Sequence, residues 1–243
     1  MLARLDTLVL TLTATLTLGA CDSTFTPIEV APGCPDQPQR GPEAFANGPA
    51  TQLIDDFEDG DGFIQALEGR DGLWVIGHDD TQGATVFEVS PHRNSPDCSA
   101  RGRQSAFFSW SGYTGWGANL TALFRGASSL AATWDGRAYG GVSFWAALPA
   151  DRAPFDLPVG IMTIDNAWNG GVCNHAAGKC MDDYGTTVHL TSKWERFEIR
   201  FDQLAQEGFG APLTPMKRDK LVGLLFWPSR PTAIWLDDLR FEP

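Results

Sequence analysis

The segment Trp194–Phe201 reads WERFEIRF. Phe197, Ile199 and Phe201 alternate with Arg196, Glu198 and Arg200, the period-two pattern of a strand with one face in a core and the other in water. Further short apolar runs repeat along the chain: Leu53–Glu58, Leu73–Gly77, Ala84–Val89, Ser105–Trp110, Gly117–Leu123, Gly141–Leu148, Val159–Asp165, Thr187–Leu190, Leu221–Trp227 and Ala233–Phe241. Gly, Asn, Asp and Pro punctuate the gaps. Long helical periodicity is nearly absent, and Gln203–Glu207 has room for one turn. About eleven short strands in one domain predict an all-β fold, a two-sheet antiparallel β-sandwich or jelly roll. The nine Trp and fifteen Phe supply its core, and Trp74, Trp145, Trp194 and Trp235 sit within strand patterns.

Residues 1–20 read as a signal peptide. Leu5–Leu18 is apolar and Thr-rich, too short for a comfortable transmembrane helix, and it leads into Leu18-Gly19-Ala20-Cys21. Small residues before a cysteine at the end of such a run form a cleavage pattern. This one resembles the lipobox of bacterial lipoproteins. The resemblance implies cleavage before Cys21 and diacylglycerol on its thiol. The alternative is an ordinary secretory signal with an incidental cysteine, since Asp6 cancels Arg4 in the n-region. Asp22 resembles the inner-membrane retention signal of some Gram-negative bacteria, which leaves inner and outer membrane both open. The expected location is the cell envelope, with the domain facing periplasm or exterior. Residues 21–50, carrying Pro27, Pro32, Pro35, Pro38, Pro42 and Pro49, read as a flexible tether. Residues 51–243 are left for the sandwich domain.

A net charge of −12 makes nucleic acid an unsuitable partner, because phosphate binding needs a basic face. Cys21 aside, four cysteines remain, and an even number in an exported chain predicts disulfides. Cys173 and Cys180 bracket the short loop CNHAAGKC and form the natural pair, which leaves Cys34 for Cys98. A metal on Cys173, His175 and Cys180 lacks a fourth ligand in sequence.

Two acidic stretches bound the domain. Ile54–Gly62 reads IDDFEDGDG, and five of its nine side chains are carboxylates. Read from Asp55, it fails as an EF-hand loop, since the third position is Phe57 and the twelfth Ala66. A continuous first strand puts Asp56 and Glu58 on one face. The last strand, AIWLDDLRFE, at strict period two puts Trp235, Asp237, Leu239 and Phe241 on one face and Ile234, Leu236, Asp238 and Arg240 on the other. One carboxylate then shares the aromatic face and needs a cation. If the two strands meet, Asp56, Glu58, Asp237 and Asp238 could surround one hard ion.

From IDDFEDGDG to WLDDLRFE, the chain resembles carbohydrate-binding modules of the galactose-binding-domain-like jelly-roll type and the related domain of complex I intermediate-associated proteins. The matching residues are Asp56-Phe57-Glu58, Tyr139-Gly140-Gly141-Val142-Ser143-Phe144-Trp145-Ala146, Trp194-Glu195-Arg196-Phe197 and Asp237-Asp238. The resemblance implies a jelly roll whose first and last strands share a structural calcium site, with Glu58 and Asp237 or Asp238 as ligands. It also implies a polysaccharide partner.

Sugar recognition takes aromatic plates for the C–H faces and planar polar groups for the hydroxyls. Two stretches offer both. Asp165–Asn174, DNAWNGGVCN, carries Trp168 among Asp165, Asn166 and Asn169, with Asp182, Asp183 and Tyr184 close behind. Trp110–Asn119, WSGYTGWGAN, carries Tyr113 with Trp110 and Trp116. The expected ligand set is Trp168, Tyr113, Tyr184, Asn166, Asn169 and Asp165. No GxSxG, HExxH, P-loop or Rossmann fingerprint is present. The reading is a lipid-anchored module that binds carbohydrate and does not turn it over. Its alternatives are a structural or protein-interaction envelope lipoprotein and a glycan-acting hydrolase or lyase.

Overall fold

The computed structural model describes residues 34–35, 52–91, 98–126, 132–168, 170, 172–213, 215–228 and 232–243. The signal segment 1–20, Cys21, the tether apart from Cys34 and Pro35, and Asn169 lie outside the described residues. Among the described residues no helix is long and apolar enough to cross a membrane.

The strands are β1 (Leu53–Asp55), β2 (Trp74–His78), β3 (Thr85–Pro91), β4 (Ala106–Ser111), β5 (Ala118–Leu123), β6 (Gly141–Ala147), β7 (Phe155–Thr163), β8 (Tyr184–Leu190), β9 (Glu195–Arg200), β10 (Leu221–Phe226) and β11 (Thr232–Glu242). Each period-two run of the sequence becomes one of them. The expected turn falls two residues early, as a 3₁₀ turn at Phe201–Gln203.

The pairing is nested. β4 pairs with β11, β5 with β10, β6 with β9 and β7 with β8, all antiparallel. That is one long hairpin of paired strands. It wraps because β11 also pairs with β6 and β10 with β7. The result is two sheets, ordered β3-β4-β11-β6-β9 and β2-β5-β10-β7-β8, with β1 added along β11. Eight strands folded in this way are a jelly roll.

Alternation decides what each sheet face holds. Phe144, Leu157, Val159, Ile161, Leu224 and Phe226 point inward to the main core. The outer face of the first sheet carries a second cluster, with Phe107, Trp145, Trp194 and Trp235, and Cys34 packs on it through its disulfide to Cys98. The outer face of the second sheet carries a third cluster, with Leu123, Met162, Val222 and Leu225 flanked by Val75, Met181 and Trp227. This third face carries the groove described below.

Two expectations about the acidic strands need correcting. β11 does not keep period two to its end. Its register against β6 shifts between Asp237 and Arg240, and Asp238 takes a left-handed backbone (φ 45°). The shift is a β-bulge, in which one extra residue reverses the facing of everything after it. Ile234 and Leu236 are inward before the bulge, and Leu239 and Phe241 are inward after it. Neither aspartate therefore enters the main core. The first strand also stops early: Phe57 is left-handed (φ 58°), so Asp56 and Glu58 lie in a turn and do not share a strand face.

Candidate functional site

The groove follows from the alternation of β5. In ANLTAL, Ala118, Leu120 and Ala122 face the core, which turns Asn119, Thr121 and Leu123 outward. Together with Val75, Ile76 and Gly77 of β2, Met162 of β7 and Met181, they line a groove of about 470 Å³. Trp116 and Trp168 complete its lining. They are 59% and 56% exposed, whereas the strand-borne indoles Trp74, Trp110, Trp145 and Trp235 are nearly sealed. None of the described lining residues carries a titratable side chain. The described lining therefore offers two indole plates, the polar side chains of Asn119 and Thr121, and no titratable group.

Each Trp sits on a tied-down loop. Trp168 follows a turn organised by Asn166, whose Oδ1 accepts from Thr163 N (3.1 Å) and Thr163 Oγ1 (3.2 Å), and whose Nδ2 donates to Asp182 O (3.0 Å). Met181 N donates to Asn166 O at 2.8 Å. The Cys173–Cys180 disulfide closes the same loop. Asp182 accepts the amides of Glu207 (2.9 Å), Gly208 (3.0 Å) and Gly210 (2.8 Å), and so binds the 205–213 loop to this wall.

The structure divides the expected ligand residues. Trp168 lines the groove. Asn166 is fully buried and holds the turn. Asp165 is buried and paired with Lys217 at 2.5 Å. Tyr184 is buried, with its hydroxyl donating to Leu213 O, and its ring borders a separate cavity with Phe201, Met216 and Arg218. Tyr113 packs against His78, ring centroids 5.6 Å apart, and is absent from the groove lining. Asn169 lies outside the described residues. Trp116, Asn119 and Thr121 are the groove residues that the loop composition understated. The alternation in ANLTAL was the signal for the last two.

The two acidic stretches do meet. β1 pairs with β11, Leu53 opposite Arg240 and Asp55 opposite Leu239. The segment 98–104 gathers their carboxylates. Glu58 Oε1 accepts the amides of Arg103 (2.5 Å) and Gln104 (2.8 Å). Asp237 Oδ2 accepts Arg101 N at 2.8 Å, and the Arg101 guanidinium sits 2.5 Å from Asp238 Oδ2. Arg240 holds the other oxygen of Asp238 at 2.8 Å. Burial raises the pKa of Asp56, and the charges of Glu58 and Asp238 add to it. Burial raises that of Asp237 well above the usual carboxylate range. Its Oδ1 is buried and accepts no hydrogen bond of regular geometry among the described residues, although the amides of Ala100 and Asp238 are near enough to oppose the rise. These hard oxygens suit calcium in kind. In their present spacing, no three His, Cys, Asp or Glu side chains among the described residues converge on one point.

The fold and groove define a jelly-roll sandwich with a solvent-open aromatic cleft on one sheet. No family model and no curated protein matches the chain. Solved structures do resemble it. One is a "Family 11 Carbohydrate-Binding Module from Clostridium thermocellum in complex with beta-1,3-1,4-mixed-linked tetrasaccharide", at 14% identity over 79% of this chain and 94% of that one, TM-score 0.48. A second is a family 30 carbohydrate-binding module of a Clostridium thermocellum cellulase, at 16% identity over 69% and 90%, TM-score 0.44. A third is the CBM22-1 xylan-binding domain of Paenibacillus barcinonensis Xyn10C, at 16% identity over 69% and 85%, TM-score 0.40. At these values the likeness is distant, and it is the groove itself that bears on function.

Proposed function

We propose that the groove binds an uncharged glycan and does no chemistry on it. The observation that carries this reading is the pair of half-exposed indoles, Trp116 and Trp168, beside Asn119 and Thr121 in one groove. Single exposed apolar residues are ordinary, but two large ones converging on a shaped cleft mark a binding surface. Indole faces take the C–H faces of sugar rings, and the Asn and Thr side chains take hydroxyls. A lining without charge, on a chain of net charge −12, disfavours anionic polymers. The test is retention on mixed-linkage β-glucan, xylan, mannan and polygalacturonate. Retention on a neutral polymer and none on polygalacturonate is the expected result. Retention on none of the four overturns the reading.

The carrier is proposed on other grounds. Leu18-Gly19-Ala20-Cys21 supports a lipid anchor in a bacterial envelope, and two disulfides suit an oxidising compartment. Detergent partitioning of the expressed protein, abolished by Cys21→Ser, tests it. A calcium ion held by Asp56, Glu58, Asp237 and Asp238 is proposed as a structural element. Its support is the crowding of carboxylate charge where β1 meets β11, on Asp56 above all, and the buried Asp237 Oδ1, which accepts no hydrogen bond of regular geometry among the described residues.

A further inference from the structure

We propose that Asp79 is the positioning residue of the groove, holding Trp116 ready to receive a ligand. The inference rests on the glycan-binding reading only for what that ligand is. Asp79 follows β2, and Trp116 lies in the turn that leads into β5. The two strands pair with His78 opposite Ala118, and the ladder runs on through Asp79 N donating to Gly117 O at 2.9 Å. The Asp79 carboxylate then takes hold of the turn. Its Oδ2 accepts the amides of Gly115 (3.0 Å) and Gly117 (2.8 Å), the residues on either side of Trp116. Its Oδ1 accepts Thr81 N at 2.9 Å and the Thr81 hydroxyl. Thr81 Oγ1 in turn accepts Thr114 N at 3.1 Å. Three amides around the indole, those of residues 114, 115 and 117, are thus tied directly or through Thr81 to one side chain. Tyr113 adds its ring against His78.

Trp116 itself makes no hydrogen bond in this network and is 59% exposed. An exposed indole on a free Gly-rich turn would have to be ordered on binding, at a cost in backbone conformational entropy. Clamping the turn beforehand removes that cost from binding. The clamp needs both carboxylate oxygens. An Asn at 79 could satisfy the Gly115 and Gly117 amides or those around Thr81, but its NH₂ group would face donors on the other side. Gly115 is matched to the clamp, because a Cβ there would sit 2.8 Å from Asp79 Oδ2.

The test uses the full chain labelled with 5-fluorotryptophan, with the Trp116 resonance assigned by its loss in Trp116→Phe. In Asp79→Asn, the Gly115 and Gly117 amides should exchange about tenfold faster. The Trp116 fluorine line should move toward that of a freely exposed indole. Gly115→Ala should reproduce both effects from the other side of the contact, and Asp80→Asn, a neighbouring exposed acid, should leave both unchanged. Affinity for the neutral polysaccharide retained by the wild type should fall several-fold in both clamp variants, with most of the loss entropic by calorimetry. Unchanged exchange and an unchanged fluorine line in the clamp variants overturn the proposal. So does a freed indole with undiminished affinity. If the wild type retains no polysaccharide, the function reading fails, while the exchange and fluorine measurements still decide the clamp.

Discussion

Trp116 and Trp168 reach one groove from opposite ends of a sheet. Trp116 leads into β5 and Trp168 follows β7. β5 and β7 both run antiparallel to β10, so they run parallel to each other. A chain-like ligand along the cleft could therefore meet one indole and then the other. Covering roughly 60–80 Å² of an indole face at about 25 cal/mol per Å² is worth about 1.5–2 kcal/mol. Trp116→Ala and Trp168→Ala are each expected to weaken glycan binding by roughly ten- to thirtyfold. Their melting temperatures should stay near wild type, because both residues are more than half exposed and neither belongs to the buried core clusters. Isothermal titration with parallel thermal melts checks both halves of the statement.

The same relationship shows what the sequence could and could not convey. Strand content was legible because alternation is local: Phe197 and Ile199 announce β9 without reference to any other residue. The nested pairing was not local, yet the acidic ends hinted at it, and β1 does lie on β11. The bulge at Asp238 was invisible, since an inserted residue looks the same as one in register until a partner strand is laid beside it. The site was only half legible. Composition drew attention to the amide-rich loop around Trp168, but Asn166 and Asp165 turned out to hold that loop with their own hydrogen bonds and ion pair. Polar residues near a binding aromatic serve equally as scaffold or as contact, and burial alone separates the two roles.

The two disulfides should differ in what they protect. By loop-closure entropy, a bond spanning 64 residues is worth about 4 kcal/mol and one spanning 7 about 2.5 kcal/mol. Replacing Cys34 and Cys98 by Ser should therefore lower stability more. Replacing Cys173 and Cys180 should cost less stability and more affinity, because that loop carries Trp168. Denaturant melts and binding assays on the two double variants measure the contrast. A larger affinity loss from the Cys34–Cys98 pair would contradict it.

Calcium, if held where the two acidic stretches meet, stabilises the native state by mass action. Chelator should lower the melting temperature of the wild type, and Glu58→Ala should remove that response. An Arg101→Gln variant offers a second reading of the same cluster. It leaves Asp238 with Arg240 as its remaining cationic partner among the described residues, so added calcium should stabilise this variant more than the wild type. A melting curve indifferent to chelator in the wild type and to calcium in Arg101→Gln would show that arginine alone balances these acids.

Asp183 gives the fold a pH dependence of definite sign. It is buried just before β8, its Oδ1 has no hydrogen-bond partner among the described residues, and burial together with the charge of Asp182 raises its pKa from 3.8 to about 8. Between those values the folded protein keeps a proton that the unfolded chain has released. The contribution of Asp183 is therefore complete below pH 3.8 and is lost as pH rises through about 8. Asp55, raised to about 7 mainly by burial, acts in the same direction. Asp79 acts in the opposite one. The Thr81 hydroxyl and the Gly117, Thr81 and Gly115 amides hold it below its usual value of 3.8, so its contribution is present above that pH and is lost only in acid. Over pH 5 to 8 the raised aspartates set the slope, and the melting temperature should fall as pH rises. Asp183→Asn removes one of them without changing shape, so its melting temperature should fall less steeply and should exceed that of the wild type at pH 8. Thermal melts at three pH values on the two proteins suffice, and a slope in Asp183→Asn as steep as the wild type would move the proton to another group.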